Sequence, residues 1–253
     1  MAIDKWFNYI RSQRVPDSES GINHAYWLYH RSYARSINRN PYLLANEWIC
    51  SNIAWYLRLP VPPFALMRTG GSARFFASLD FGKKNSVTPD MIPERVAKKL
   101  PDLATGIVLF DILIANPDRH EGNLKVDNPD NPEHVEVFDH DYALLGHLRG
   151  KGIERLTHVS TRLGLSSGLS NNNLHKIARE LTSTEHFLVW MSRISAIPAQ
   201  FIDSICDEVR PLNVLVEEVE MAAKFLNDRT QGLAHIVRQN LEFFSKIDSP
   251  GIF

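Results

Sequence analysis

Only two cysteines occur in 253 residues, Cys50 and Cys206, which excludes a disulfide-framed fold and a cysteine-rich metal cluster. Both stand in apolar helical patterns, so buried free thiols and a reducing compartment are expected. No apolar run approaches about 18 residues, which excludes a membrane-spanning helix. The stretch "MAIDKWFNYIRSQR" lacks the apolar centre of a secretory leader. The expected location is therefore cytoplasmic, with no membrane partner. The formal net charge is −1, so the chain lacks the broad positive field that nucleic-acid binding uses. Arg31, Arg35 and Arg39 gather without an acid in "YHRSYARSINRN", which reads as a solvated face. Repeats and low-complexity tracts are absent. Two further absences are local. There is no lysine between Lys5 and Lys83, and no Gly-x-Gly-x-x-Gly in the front portion.

What is present is a globular composition, 44% apolar and 23% charged, in a length that suits one large domain or two lobes sharing a site. The aromatic "HAYWLYH" predicts a strand. "NPYLLANEWICSNIAWYLRLPVPP" predicts a helix with Asn40 as N-cap, Pro41 at the first helical position and a proline-rich stop. Its apolar stripe runs Leu43, Cys50, Ile53, Ala54 and Leu57, and Glu47 falls inside it. A charge on a buried face is unfavourable unless paired, so Glu47 needs a cation. "PPFALMRTGGSARFFASLDF" reads as a hairpin turning at Thr69-Gly70-Gly71. The polar "GKKNSVTPDMIPERVAKKLP" is the candidate lobe boundary. Beyond it "DLATGIVLFDILIA" predicts a buried helix stopped at Asn116-Pro117. Amphipathic helices follow from Asn171 onward, while "THVSTRLGLSSGLSNNN" reads as a loop.

The chemistry concentrates after the buried helix, in "NPDRHEGNLKV…HVEVFDHD". If "NLKV" and "HVEVFD" pair as an antiparallel hairpin, Asn123 opens one strand and Asp139 closes the other, at the same end. Asp118 overhangs that end. Two hard-oxygen ligands beside one carboxylate base is the donor set of a Mg²⁺–phosphate site. "DNPDNPE" reads only as a turn.

Asp-Arg-His-x-x-Asn followed by Asp after a short strand resembles the catalytic and metal loops of the HipA-like kinases, and more distantly those of the phosphoinositide kinases. "NEWICSNIAWYLRLPVPPFALM", "SARFFASLDF", "WMSRISAIPAQFIDSICDEV" and "AAKFLNDRTQGLAHIV" are similar to other parts of that family, so the resemblance covers roughly residues 15 to 240. It implies an α+β, two-lobe protein-kinase-like fold. A small mixed N-lobe would span residues 1–95 and a mostly helical C-lobe 96–253. It implies ATP and Mg²⁺ as cofactors, with Asp118 as catalytic base and Asn123 and Asp139 as metal ligands. Glu47 becomes the helix acid that pairs with a phosphate-gripping lysine. A protein substrate and an antitoxin-like protein partner are also implied.

The pattern breaks in three places. The lysine is missing, and His30, Arg31 or Arg35 stands in for it; Arg31 joins His120 and Glu47 in the expected nucleotide-binding set. Arginine and lysine are not equivalent at such a site, so an active serine/threonine kinase and a nucleotide-binding pseudokinase both remain open, with a phosphoinositide-type kinase behind them. The glycine-rich loop is replaced by "VPDSESGINH", where Gly21 is expected to face phosphate and Ser18 or Ser20 to be a self-phosphorylation site. His140 and Asp141 replace the Phe and Gly of the usual Asp-Phe-Gly. The resulting "DHD" also admits a metal-dependent phosphohydrolase using His120, His134, His140, Asp139 and Asp141.

Overall fold

The computed structural model describes residues 9–14, 26–30, 32–37, 39–68, 73–79, 91–165 and 175–247. Strands β1 (Tyr9–Arg14) and β2 (Tyr26–His30) form an antiparallel pair with a bulge between Tyr9 and Arg11. Strands β3 (Ser32–Ser36), β4 (Phe64–Arg68) and β5 (Arg74–Leu79) make an antiparallel sheet with β5 in the centre. The expected β4–β5 hairpin is present, with Arg68 opposite Arg74; its turn lies outside the described residues.

Between β3 and β4 runs helix α1 (Leu43–Tyr56). It begins two residues later than the sequence suggests. Asn40 does not cap it: its side-chain oxygen accepts from the Tyr42 amide in a turn before the helix. The predicted stripe of Leu43, Cys50, Ile53, Ala54 and Leu57 is buried, and Glu47 is buried with it. Cys50 and Cys206 are both buried free thiols.

The expected boundary segment contributes a short helix, α2 (Pro93–Lys99), while residues 80–90 lie outside the described set. Helix α3 (Pro101–Leu113) follows and is buried continuously from Ala104 to Leu113. Ile107, Val108, Leu109, Phe110, Ile112 and Leu113 supply the centre of the core, a gross hydrophobic contribution of roughly 9–18 kcal/mol. Gly106 lets α3 approach the Trp190 ring, which a Cβ would meet at 2.3 Å. Trp190 comes from a later helix, Phe187–Ser195, and its indole donates to Asp102 at 2.9 Å.

The hairpin β6 (Leu124–Val126) and β7 (Val135–Val137) comes next, then α4 (Gly152–Val159), α5 (Phe187–Ser195), α6 (Ala199–Asp207) and α7 (Val216–Arg238). The expected loop at Thr157–Asn173 is corrected in part: Thr157, His158 and Val159 close α4, whose polar outer face made that end read as loop. Residues 166–174 lie outside the described set. Helix α7 packs on α4, α5, α6 and α3. Among the described residues no helix is long and apolar enough to cross a membrane. About half of the described residues are thus helical, and the sheets are small and antiparallel.

Candidate active site

Helix α3 ends in a tight turn in which Ala115 has φ +48°. Asn116 holds the next residues in place: its amide donates to Asp111 at 2.9 Å and its oxygen accepts from the Asp118 amide at 3.1 Å. Arg119 then turns inward. Its guanidinium forks onto the Asp111 carboxylate at 2.9 and 3.0 Å, and its third nitrogen donates to the carbonyls of Asn123 (3.1 Å) and Phe138 (2.5 Å). His175 contacts the same carboxylate through Nε2 at 3.0 Å. Burial alone would push the Asp111 carboxyl up, but the Arg119 charge and the hydrogen bonds from His175 and Arg119 hold it well below the usual range. This sealed cluster fixes where Asp118 and Asn123 stand.

The β6–β7 register pairs Leu124 with Val137, so Asn123 and Asp139 emerge at the same end, as the hairpin argument requires. Asn123 sits in the single 3-10 turn Glu121–Asn123 just ahead of β6. Its amide nitrogen donates to the Asp118 carbonyl at 2.8 Å, which leaves its oxygen as the atom offered to the cleft. The Val137 amide donates to Pro60 at 2.7 Å, tying the hairpin to the proline-rich stretch after α1. Burial pushes the Asp118 carboxyl up; His120 opposes this shift and the charge of Asp139 adds to it.

Asp139 has φ +64°, a left-handed conformation that aspartate tolerates better than most residues. Arg35 on β3 reaches it with both terminal nitrogens at 2.9 Å. The same guanidinium contacts Glu47 on α1 and lies 3.5 Å from Asp141. Burial works against ionisation of Asp139, but Arg35 outweighs it and its carboxyl is lowered. Asp141 is pushed up to about 7, by burial first and then by the charge of Asp139. His140 between them points into the core: it is 1% exposed, touches Glu47 through Nδ1 at 3.2 Å, and meets the Phe110 ring edge-on. Burial lowers its pKa to about 3, so the imidazole is neutral.

Asn46, beside Glu47, donates to the carbonyls of Asp141 (2.7 Å) and Gly146 (3.0 Å) and accepts from the Leu145 amide. Arg155 on α4 donates to the carbonyls of Ala115 and Leu144, joining the segment before Asp118 to the one after Asp139.

Arg35, Glu47, Asn123 and Asp139 edge a cleft of about 300 Å³. One wall is the sheet. Tyr33 pairs with Ser78 and Arg35 with Phe76, and all four face the cleft, as opposed residues on one sheet face must. Val61, Phe64, Leu79 and Val137 extend the apolar part, and Arg35, Glu47, Asn123, Lys125 and Asp139 form the polar end. The donors at that end fit a hard divalent cation: Asp139 already holds a cationic nitrogen, and Asn123 lines the same cleft.

Of the residues singled out from sequence, Glu47 and Asp139 meet on Arg35 and line the cleft with Asn123, while Asp118 adjoins them through its carbonyl, which accepts from the Asn123 side-chain amide, without lining the cleft. His120 is exposed and turned to its own loop, where its Nδ1 accepts from the Gly122 amide at 3.0 Å. Ser18, Ser20, Gly21 and Arg31 lie outside the described residues. Of the three cations left open for the place facing Glu47, His30, Arg31 and Arg35, it is Arg35 that contacts Glu47 and Asp139, and the solvated face expected of these arginines does not hold for it. The phosphohydrolase set is corrected too. His140 is buried on Glu47, and His134 sits with Asp127 and Glu133 at the far end of the hairpin. Asp111, His175, Asn46 and Arg155 were missed. Asp111 had a readable signal, a lone carboxylate inside an apolar helix; the others had none.

A family model described as HipA-like kinase matches residues 30–230. Among solved structures, the chain is similar to the Helicobacter pylori proinflammatory kinase CtkA, with a TM-score of 0.58 at 16% identity. The match covers 84% of this chain and 91% of that one. At that identity the likeness is one of fold. No curated protein matches.

Proposed function

The chain belongs to the HipA-like kinase family, and we propose that it transfers the γ-phosphoryl group of ATP to a serine or threonine hydroxyl of a protein, with Mg²⁺. The observation that carries this reading is the meeting of Arg35, Glu47, Asn123 and Asp139 at the polar end of one apolar-walled cleft. Sheet β3–β5 and α1 act as the front lobe, the later helices as the back lobe, and the nucleotide lies between them. Phe64 and Phe76, stacked with centroids 5.7 Å apart, give the base an apolar wall that excludes water. Arg35, anchored by Glu47, grips the phosphates in place of the lysine. Asn123 and Asp139 hold the metal, which when bound neutralises charge on the phosphates. Asp118 orients the acceptor hydroxyl and takes its proton as the oxygen–phosphorus bond forms and ADP leaves. Ser18 or Ser20 is a self-phosphorylation site on this reading, and an antitoxin-like protein is a candidate partner.

A second reading, a nucleotide-binding pseudokinase, draws support from Arg35 lying on Asp139 itself. Turnover separates the two. Incubation with ATP and Mg²⁺ should label the wild-type chain, at serine or threonine by peptide mass spectrometry, and fail to label Asp118→Ala and Asp139→Ala. No label, together with a rise in melting temperature on adding ATP–Mg²⁺ that Asp139→Ala lacks, would establish the pseudokinase instead.

A further inference from the structure

A single nitrogen of Arg35, Nη1, lies 2.9 Å from the Asp139 carboxylate and 3.5 Å from that of Asp141. One cationic centre therefore reaches both acids. The other terminal nitrogen is shared between Asp139 and Glu47. Three carboxylates thus converge on one guanidinium, whose single charge balances one of them. Excess negative charge in a half-buried site is unfavourable unless a proton or a further cation enters.

The position of Asp141 is fixed by the fold. Its backbone carbonyl accepts from two asparagines, Asn40 at 2.5 Å and Asn46 at 2.7 Å, at the entry and in the first turns of α1. The left-handed turn at Asp139 and the burial of His140 on Glu47 send the middle side chain inward, and the flanking two meet the same cation. An ordinary turn after a strand needs none of these restraints.

Resting on the kinase reading above, we propose that Asp141 is a further oxygen ligand of the divalent cation that accompanies the nucleotide, beside Asn123 and Asp139. Arg35 Nη1 marks the region the ion takes when the guanidinium moves onto phosphate. Ligand distances near 2.1 Å then require the two carboxylates to close by about 1 Å, which side-chain rotation supplies.

The test is Mn²⁺ binding, followed by the electron paramagnetic resonance signal of free Mn²⁺, on full-length protein saturated with the β,γ-imido analogue of ATP. Asp141→Asn should weaken Mn²⁺ at least ~10-fold, and Asp141→Glu should recover most of the loss. If Asp139→Asn weakens Mn²⁺ while Asp141→Asn leaves it unchanged or tighter, Asp141 only holds Arg35; this proposal then fails and the kinase reading stands. If the wild type binds no Mn²⁺ under these conditions, both fail. A readout free of substitutions is wild-type protein carrying ¹³C-carboxyl aspartate: pulsed resonance should resolve two aspartate carboxylates coupled to Mn²⁺, and a single one would overturn the proposal.

Discussion

Asp111–Arg119 is closed off, with side chains 0% and 1% exposed, whereas the Arg35 of the Glu47 pair is 21% exposed and shared with two further acids. Both join an acid on a helix to an arginine elsewhere in the chain, and both acids sit among apolar neighbours. In the sealed cluster the charges are satisfied and hold backbone in place: Arg119 spans the carbonyls of Asn123 and Phe138, and Asn116 and His175 complete the carboxylate. In the open pair the acids outnumber the guanidinium, and its nitrogens face a cleft. A satisfied buried pair serves geometry, and an unbalanced one at a cleft can exchange its partners for a ligand.

The largest effect should come from breaking the sealed cluster. Asp111→Asn leaves the Arg119 charge buried without a counter-ion, so unfolding in urea should show a loss of about 3–5 kcal/mol. The pH dependence has a defined sign. Because the folded carboxyl is lowered, its stabilisation is fully present above the ordinary value of 3.8 and is lost as pH falls below it. The wild type should thus lose stability in that acid window and Asp111→Asn should lose less.

The same substitution made in both pairs sharpens the contrast. Arg119→Lys gives up a two-nitrogen fork in a dry site and should destabilise by about 2 kcal/mol. Arg35→Lys restores the residue type expected beside Glu47; stability should stay within about 1 kcal/mol and turnover within ~10-fold of wild type. Equal losses of stability in the two variants would break the distinction drawn here.

Glu136 on β7 is a third case, a carboxylate with no arginine fork among the described residues, pushed up to about 7 by burial. Raised above its ordinary 4.5, it favours the folded state most below that value, and the benefit fades as pH rises toward 7. Glu136→Gln should therefore raise stability at pH 8 by about 1 kcal/mol, a partly solvated site giving less than its full shift. The difference should vanish near pH 4 in the same denaturation experiment.

Much of this was legible because it is local. Hairpin alternation alone brings Asn123 and Asp139 to one end, and the charge of Glu47 inside an apolar stripe announced a partner. The same argument applies to Asp111 in "LFDILIA", but an almost wholly apolar helix reads as simply buried and offers no polar face to set the acid against. Arg155 and His175 gave no signal, since each acts through backbone or an acid supplied by distant segments.

Composition, period and motif spacing by themselves determined the helix–hairpin order, the place of Asp118, Asn123 and Asp139, and the need of Glu47 for a cation. Only the tertiary structure decided which cation. Arg31 and Arg35 are four residues apart, and strand alternation has a period of two, so no local rule separates them. The long-range register that sets Arg35 opposite Phe76 in β5 places that guanidinium between α1 and the end of β7, in reach of Glu47, Asp139 and Asp141.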